Sequence, residues 1–201
     1  MKKFLTVIFL LTLIAGWGFC ETGKTADNHI ATDKIAVQAN DIAQAETQVQ
    51  AVNLAEQYKM TSDFVLIRKS EFKVYAVDAK GDIVASYGCA LGKNPGQKER
   101  EGDMKTPDGV FTIDEIIASS WWTHDFKDGK GEIAGAYGPW FISLDTTNLS
   151  GGRWGGIGIH GTHAPASIGT LASEGCIRLT NADIERLKQF VKVGMKVVIE
   201  E

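Results

Sequence analysis

Phe64-Val65-Leu66-Ile67-Arg68 and Phe72-Lys73-Val74-Tyr75-Ala76-Val77 lead into the turn Ala79-Lys80-Gly81-Asp82 and a third run from Ile83 to Leu91. β-Branched and aromatic residues recur in these runs, the second alternates, and Gly and Asp separate them, which is the pattern of short paired strands. Working outward, Gly92-Lys93-Asn94-Pro95-Gly96 ends the third run and opens a charged loop through Asp103. Thr106-Pro107-Asp108-Gly109 reads as a turn that feeds the strand Val110-Phe111-Thr112-Ile113. Further strands are expected over 137–144, 157–159 and 196–199. The clearest helix runs from Asn181 to Phe190, with Asn181 as its N-cap. Many short strands with one late helix predict a mainly β fold, a mixed β-sandwich or barrel-like sheet with a few short helices.

The chain has 201 residues and a net charge of −4, and its apolar fraction of 44 % excludes a wholly disordered protein. With an acidic balance and no long basic run, nucleic acid is not an expected partner. Three cysteines are too few for a disulfide framework. Lys2 and Lys3 precede an apolar run from Phe4 to Phe19, so residues 1–20 read as a signal peptide or membrane anchor. Cys20 opens a lipoprotein reading, in which the acylated cysteine becomes the mature N-terminus; the bulky Phe19 before it counts against this. Either way export is expected, to the periplasm or the outer face of the membrane, with membrane contact only through this segment. Residues 21–60 read as a polar, partly helical tether, with a reach of about 35 Å as a flexible coil. Residues 61–201 remain as a single domain, expected to be monomeric.

Two segments near the C-terminus carry chemistry: Ile159-His160-Gly161-Thr162 and Ser173-Glu174-Gly175-Cys176-Ile177-Arg178-Leu179. A cysteine in a small, polar setting with a histidine upstream suits a nucleophile and its base. The thiolate is the reactive species, and a nearby imidazole both takes the thiol proton and later protonates a leaving amine. Gly175 permits close approach of another segment to Cys176, and the amides of Gly175 and Cys176 are expected to face a tetrahedral oxyanion.

These segments, with Ala166-Ser167-Ile168-Gly169 between them, resemble the active-site signature of the L,D-transpeptidases, the YkuD-like catalytic domain. Thr106-Pro107-Asp108-Gly109-Val110-Phe111 is similar to that family's Thr-Pro-x-Gly-x-Phe segment, and the resemblance runs from about residue 62 to 200. It implies an enzyme of bacterial cell-wall assembly that needs no metal or organic cofactor. Cys176 would attack the carbonyl before the terminal D-alanine of a peptidoglycan stem tetrapeptide and form a thioester. An amine of a neighbouring stem, usually of diaminopimelate, would resolve it to a 3→3 cross-link; a wall-anchored lipoprotein is an alternative partner. His160 would be base and acid, and the carbonyl of Gly161 the third member. Many relatives have His where this chain has Glu174, a departure expected to tune the site, by facing the thiol, holding His160 or Arg178, or binding the acceptor amine.

Arg178 fits a substrate carboxylate or the shaping of its own loop, and Ser173, Gly175 and Thr162 are the other candidate substrate contacts. His163 reads as a surface residue and Cys89 as a small buried apolar one. A zinc site from His160, His163, Cys176 and His124 matches no common ligand spacing. Trp121, Trp122, Trp140 and Trp154 suit core or lid packing, and Arg153 and Tyr137 are weaker substrate candidates. A same-fold L,D-carboxypeptidase or cross-link hydrolase, in which water resolves the thioester, shares every one of these residues. A catalytically silent wall-binding module would need a missing or sequestered Cys176 or His160.

Overall fold

The structure, a computed structural model, describes residues 53–201. The expected export segment, Cys20 and the tether up to residue 52 lie outside the described residues. The strands are β1 (Phe64–Arg68), β2 (Lys73–Val77), β3 (Ile83–Gly88), β4 (Leu91–Gly92), β5 (Gly109–Ala118), β6 (Thr123–Asp125), β7 (Glu132–Ala134), β8 (Trp140–Asp145), β9 (Gly158–His160), β10 (Leu171–Ser173), β11 (Ile177–Arg178) and β12 (Lys196–Glu200). Eight form one curled, mostly antiparallel sheet in the order β11-β9-β8-β5-β12-β1-β2-β3. The helices are α1 (Leu54–Tyr58), α2 (Thr147–Ser150) and α3 (Asn181–Phe190). Among the described residues no helix is long and apolar enough to cross a membrane.

Strand β1 is apolar without alternation because both of its faces are covered. Val65 and Ile67 join the main core with Phe111, Ile142, Ile159, Ile177 and the helical Ile184 and Leu187. Phe64 and Leu66 point the other way, into a smaller cluster with Val77, Val198 and Leu54. That second cluster needs α1, whose N-cap Asn53 accepts the amide of Glu56 through its side chain at 3.2 Å. The packed body therefore extends back to Asn53, into a stretch whose sequence reads as tether.

Three other differences have physical causes. Strand β5 runs on to Ala118, past the acidic pair Asp114-Glu115 that breaks its apolar pattern, with a register shift between Ile113 and Glu115. The run from Ile83 to Leu91 is two strands, because Cys89 turns to Phe72 and Ala90 exchanges amide bonds with Arg178. The N-cap of α3 is Thr180 rather than Asn181: the Thr180 hydroxyl accepts the Asp183 amide at 3.1 Å. Asn181 is thereby free to accept the amide of Thr162 at 2.8 Å, tying the helix start to the chain after His160.

Replacing Thr180 by Ala removes this cap, and urea titration should show a loss of about 1 kcal/mol.

Candidate active site

Strands β9 and β11 pair in parallel, Ile177 beside Ile159 and Arg178 beside His160. Side chains alternate along a strand, so the two isoleucines enter the core while Arg178 and His160 share the opposite face. Cys176, two residues before Arg178, is brought to that face as well. Strand β8 adds Phe141 opposite His160, and the two rings stack at 5.6 Å. This stacking needs Gly158 next to it, because a Cβ there would lie 2.5 Å from the Phe141 ring.

Cys176, His160, Arg178, Ser173, Glu174, Tyr137, His124, Phe126 and Lys98 are among the residues lining one cavity of about 380 Å³. His160 is buried, and its Nδ1 lies 2.6 Å from the Gly161 carbonyl. A carbonyl only accepts, so Nδ1 carries the proton and Nε2 presents its lone pair, the tautomer a base requires. Burial holds the His160 pKa down to about 3 despite that carbonyl, so the imidazole is neutral at pH 7. The Cys176 thiol donates to the Gly156 carbonyl at 3.2 Å, and desolvation pushes its pKa up to about 11. The resting pair is therefore thiol and imidazole, without the thiolate–imidazolium charge separation.

The nucleophile's loop is held from both sides. Ser173 Oγ donates to the Cys176 carbonyl and accepts the Gly175 amide at 3.1 Å. The Gly175 amide is thus occupied, which runs against the expectation that it faces an oxyanion. Thr106 Oγ1 donates to the Gly175 carbonyl and accepts the Gly92 amide, both at 2.9 Å. Gly175 has φ +134°, and a Cβ there would come within 2.9 Å of the Lys105 carbonyl, so close approach does require glycine. The Thr-Pro turn thereby braces the loop from behind.

Arg178 is 6 % exposed, its Nε has no hydrogen-bond partner among the described residues, and its guanidinium lies 5.1 Å from the Phe126 ring. Thr162 is buried, its hydroxyl accepting the Ala164 amide, and it is not among the residues lining the cavity. Gly175 is likewise behind the wall. Ser173 lines the cavity, but both of its bonds shape the loop. His163 is exposed and packs at a tilt against Phe126, Cys89 is fully buried, and Trp121 is exposed at 68 %. Glu174 bonds neither His160 nor Arg178: its Oε2 takes His124 Nε2 at 3.1 Å, and His124 Nδ1 meets Tyr137 Oη at 3.1 Å. The β6–β7 hairpin that carries His124 has no strand signal in the sequence, where the Trp121-Trp122-Thr123-His124 run marks the region.

A neutral thiol, an imidazole held in one tautomer and an unpartnered guanidinium in one cavity suit nucleophilic acyl transfer to and from an anionic substrate. The family model of the YkuD L,D-transpeptidase catalytic domain matches residues 62–199, and the chain belongs to that family. It is 40 % identical to Bacillus subtilis YkuD over 127 residues, 63 % of this chain and 60 % of that one. Bacillus subtilis YqjB is 28 % identical over 138 residues, 69 % of this chain and 71 % of YqjB. In fold, the chain is similar to an L,D-transpeptidase from Mycobacterium smegmatis, with a TM-score of 0.53 at 16 % identity over 71 % of this chain and 60 % of that one. Bd1075 of Bdellovibrio bacteriovorus gives 0.51 at 22 % identity over 74 % and 51 %.

The neutral resting thiol predicts that alkylation lost in Cys176→Ala accelerates about tenfold per pH unit from pH 7 to 10. A plateau near pH 7, followed by mass spectrometry, would mean an ionised resting thiol.

Proposed function

We propose that the protein is a cysteine-dependent L,D-transpeptidase acting on peptidoglycan stem peptides. The observation that carries this reading is the Nδ1 bond of His160 to the Gly161 carbonyl, which leaves Nε2 ready beside the cavity that holds Cys176. His160 Nε2 takes the thiol proton as Sγ attacks the donor carbonyl, and the Cys176 amide meets the developing oxyanion. The imidazolium returns that proton to the departing D-alanine amine, leaving a thioester. An amine of a second stem, from diaminopimelate, then attacks the thioester and forms the 3→3 link. Starting from a neutral pair, the enzyme separates charge only while substrate fills the cavity and excludes water.

Arg178 supplies the anchor for a substrate carboxylate, since its buried Nε finds no hydrogen-bond partner among the described residues. Phe126 covers the guanidinium face and keeps that contact dry. Export through the N-terminal segment would set the domain against the wall that it modifies. Water in place of the amine would make the same site an L,D-carboxypeptidase.

Mass spectrometry of the protein with a muropeptide tetrapeptide should show a thioester adduct lacking one D-alanine, absent in Cys176→Ala. Dimeric products identify the transferase and trimmed monomers the hydrolase; no adduct from folded protein would sink the enzymatic reading. His160→Gln should slow adduct formation by about 100-fold or more. Arg178→Met should raise KM for a donor with a free C-terminal carboxylate about tenfold or more, with a much smaller effect on its amide.

A further inference from the structure

Proton counting exposes a need that His160 alone does not meet. An alkylamine acceptor reaches the thioester as an ammonium at neutral pH, and the amide it forms keeps one of three protons. One of the two protons lost belongs on the departing thiol, delivered through His160. The other must leave before attack, because an ammonium has no lone pair. Water carries no such surplus proton.

A second chain of acid–base groups opens into the same cavity. The Glu174 carboxylate accepts, so the proton between it and His124 sits on Nε2. In the neutral ring Nδ1 then accepts, and Tyr137 Oη is its donor. With its own proton turned toward His124, the Tyr137 oxygen offers lone pairs to a ligand. The Tyr137 ring lies 4.9 Å from that of His160, beside the place where the thioester would form. Glu174 and His124 are about one-third exposed, so protons can pass on from them to solvent.

The geometry points to Tyr137, relayed through His124 and Glu174, as the base that strips the surplus proton from the amine acceptor. This inference rests on the acyl-transfer reading above and assigns its second half-reaction. The ammonium N–H bond breaks toward Tyr137 Oη as the Tyr137 proton moves to His124 Nδ1. The imidazolium so formed faces the Glu174 carboxylate and discharges to water. The free amine attacks the thioester carbon, the C–S bond breaks, and the remaining surplus proton passes through His160 to Sγ. Tyr137 touches the acceptor; His124 and Glu174 are positioning residues that act through it. The carboxylate at position 174 thus has a partner that a histidine there could not hold as an imidazolium.

The test follows the partition of the preformed thioester of the full-length protein, which is independent of how fast the thioester forms. Two acceptors compete with water at neutral pH: the diaminopimelate-containing tetrapeptide, an ammonium, and hydroxylamine, which is uncharged. In Tyr137→Phe the ratio of cross-linked to hydrolysed product should fall about tenfold or more, while hydroxamate over hydrolysis stays within about twofold. Glu174→Gln should shift the first ratio the same way, and raising the pH should restore it in both variants as the acceptor loses its proton unaided. Equal falls for both acceptors would mean a shape defect and overturn the inference, as would no fall for either. Absence of any thioester in the unmodified protein would overturn the acyl-transfer reading, a different result from a thioester whose partition ignores Tyr137.

Discussion

The short parallel ladder between β9 and β11 is the constraint on which the site depends. Cys176 and His160 stand apart in sequence and share one cavity because Ile177 pairs with Ile159 and Arg178 with His160. The ladder is closed by the Leu179 amide donating to the His160 carbonyl at 2.8 Å. A one-residue slip would send Arg178 into the core and an isoleucine into the cavity. The buried Ile159 and Ile177 oppose such a slip from behind, Thr106 braces the loop from the side, and Asn181 holds the chain that leaves the histidine. Much of the hydrogen bonding around the cavity serves to keep this register.

Strand-forming runs and the Cys-His pair were legible in the sequence because each is a local signal. Phe64–Arg68 is dense in β-formers, and the words around His160 and Cys176 are distinctive. What stayed hidden is non-local. Strand β11 is two residues long, and nothing in Ile177-Arg178 announces a parallel partner at Ile159-His160. The pairing of β6 with β7 rests on Thr123-His124-Asp125 and Glu132-Ile133-Ala134, too short and too polar to show a period of two. Glu174 stood out as a departure, but its partner His124 lies fifty residues away on that hairpin. Thr180 lost the cap to Asn181 in the sequence reading because both residues cap well, and only the amide of Thr162 decides which side chain is otherwise employed.

The cavity wall carries charge of both signs. Arg178 brings a desolvated positive charge, and Lys98 is held by Asp103. Glu174 and the Tyr137 oxygen supply acceptors on the same wall. On the acyl-transfer reading the donor stem brings a carboxylate and the acceptor stem an ammonium, groups of opposite sign on two different chains. On that reading, charges of both signs on one wall would help to orient the two stems.

The protonated Cys176 thiol has a further consequence for the lifetime of the protein. Peroxides and disulfides react with thiolates, and a cysteine whose pKa stands near 11 offers them very little. Cys89 is fully buried, with a thiol pushed up to about 12, so it is an equally poor target. Desolvation, which keeps the Cys176 thiol protonated although the residue is only partly covered, lowers its reaction with oxidants at neutral pH. On the acyl-transfer reading the proton leaves sulfur only as the donor carbonyl is attacked, so turnover itself opens no interval in which a bare thiolate meets oxidants.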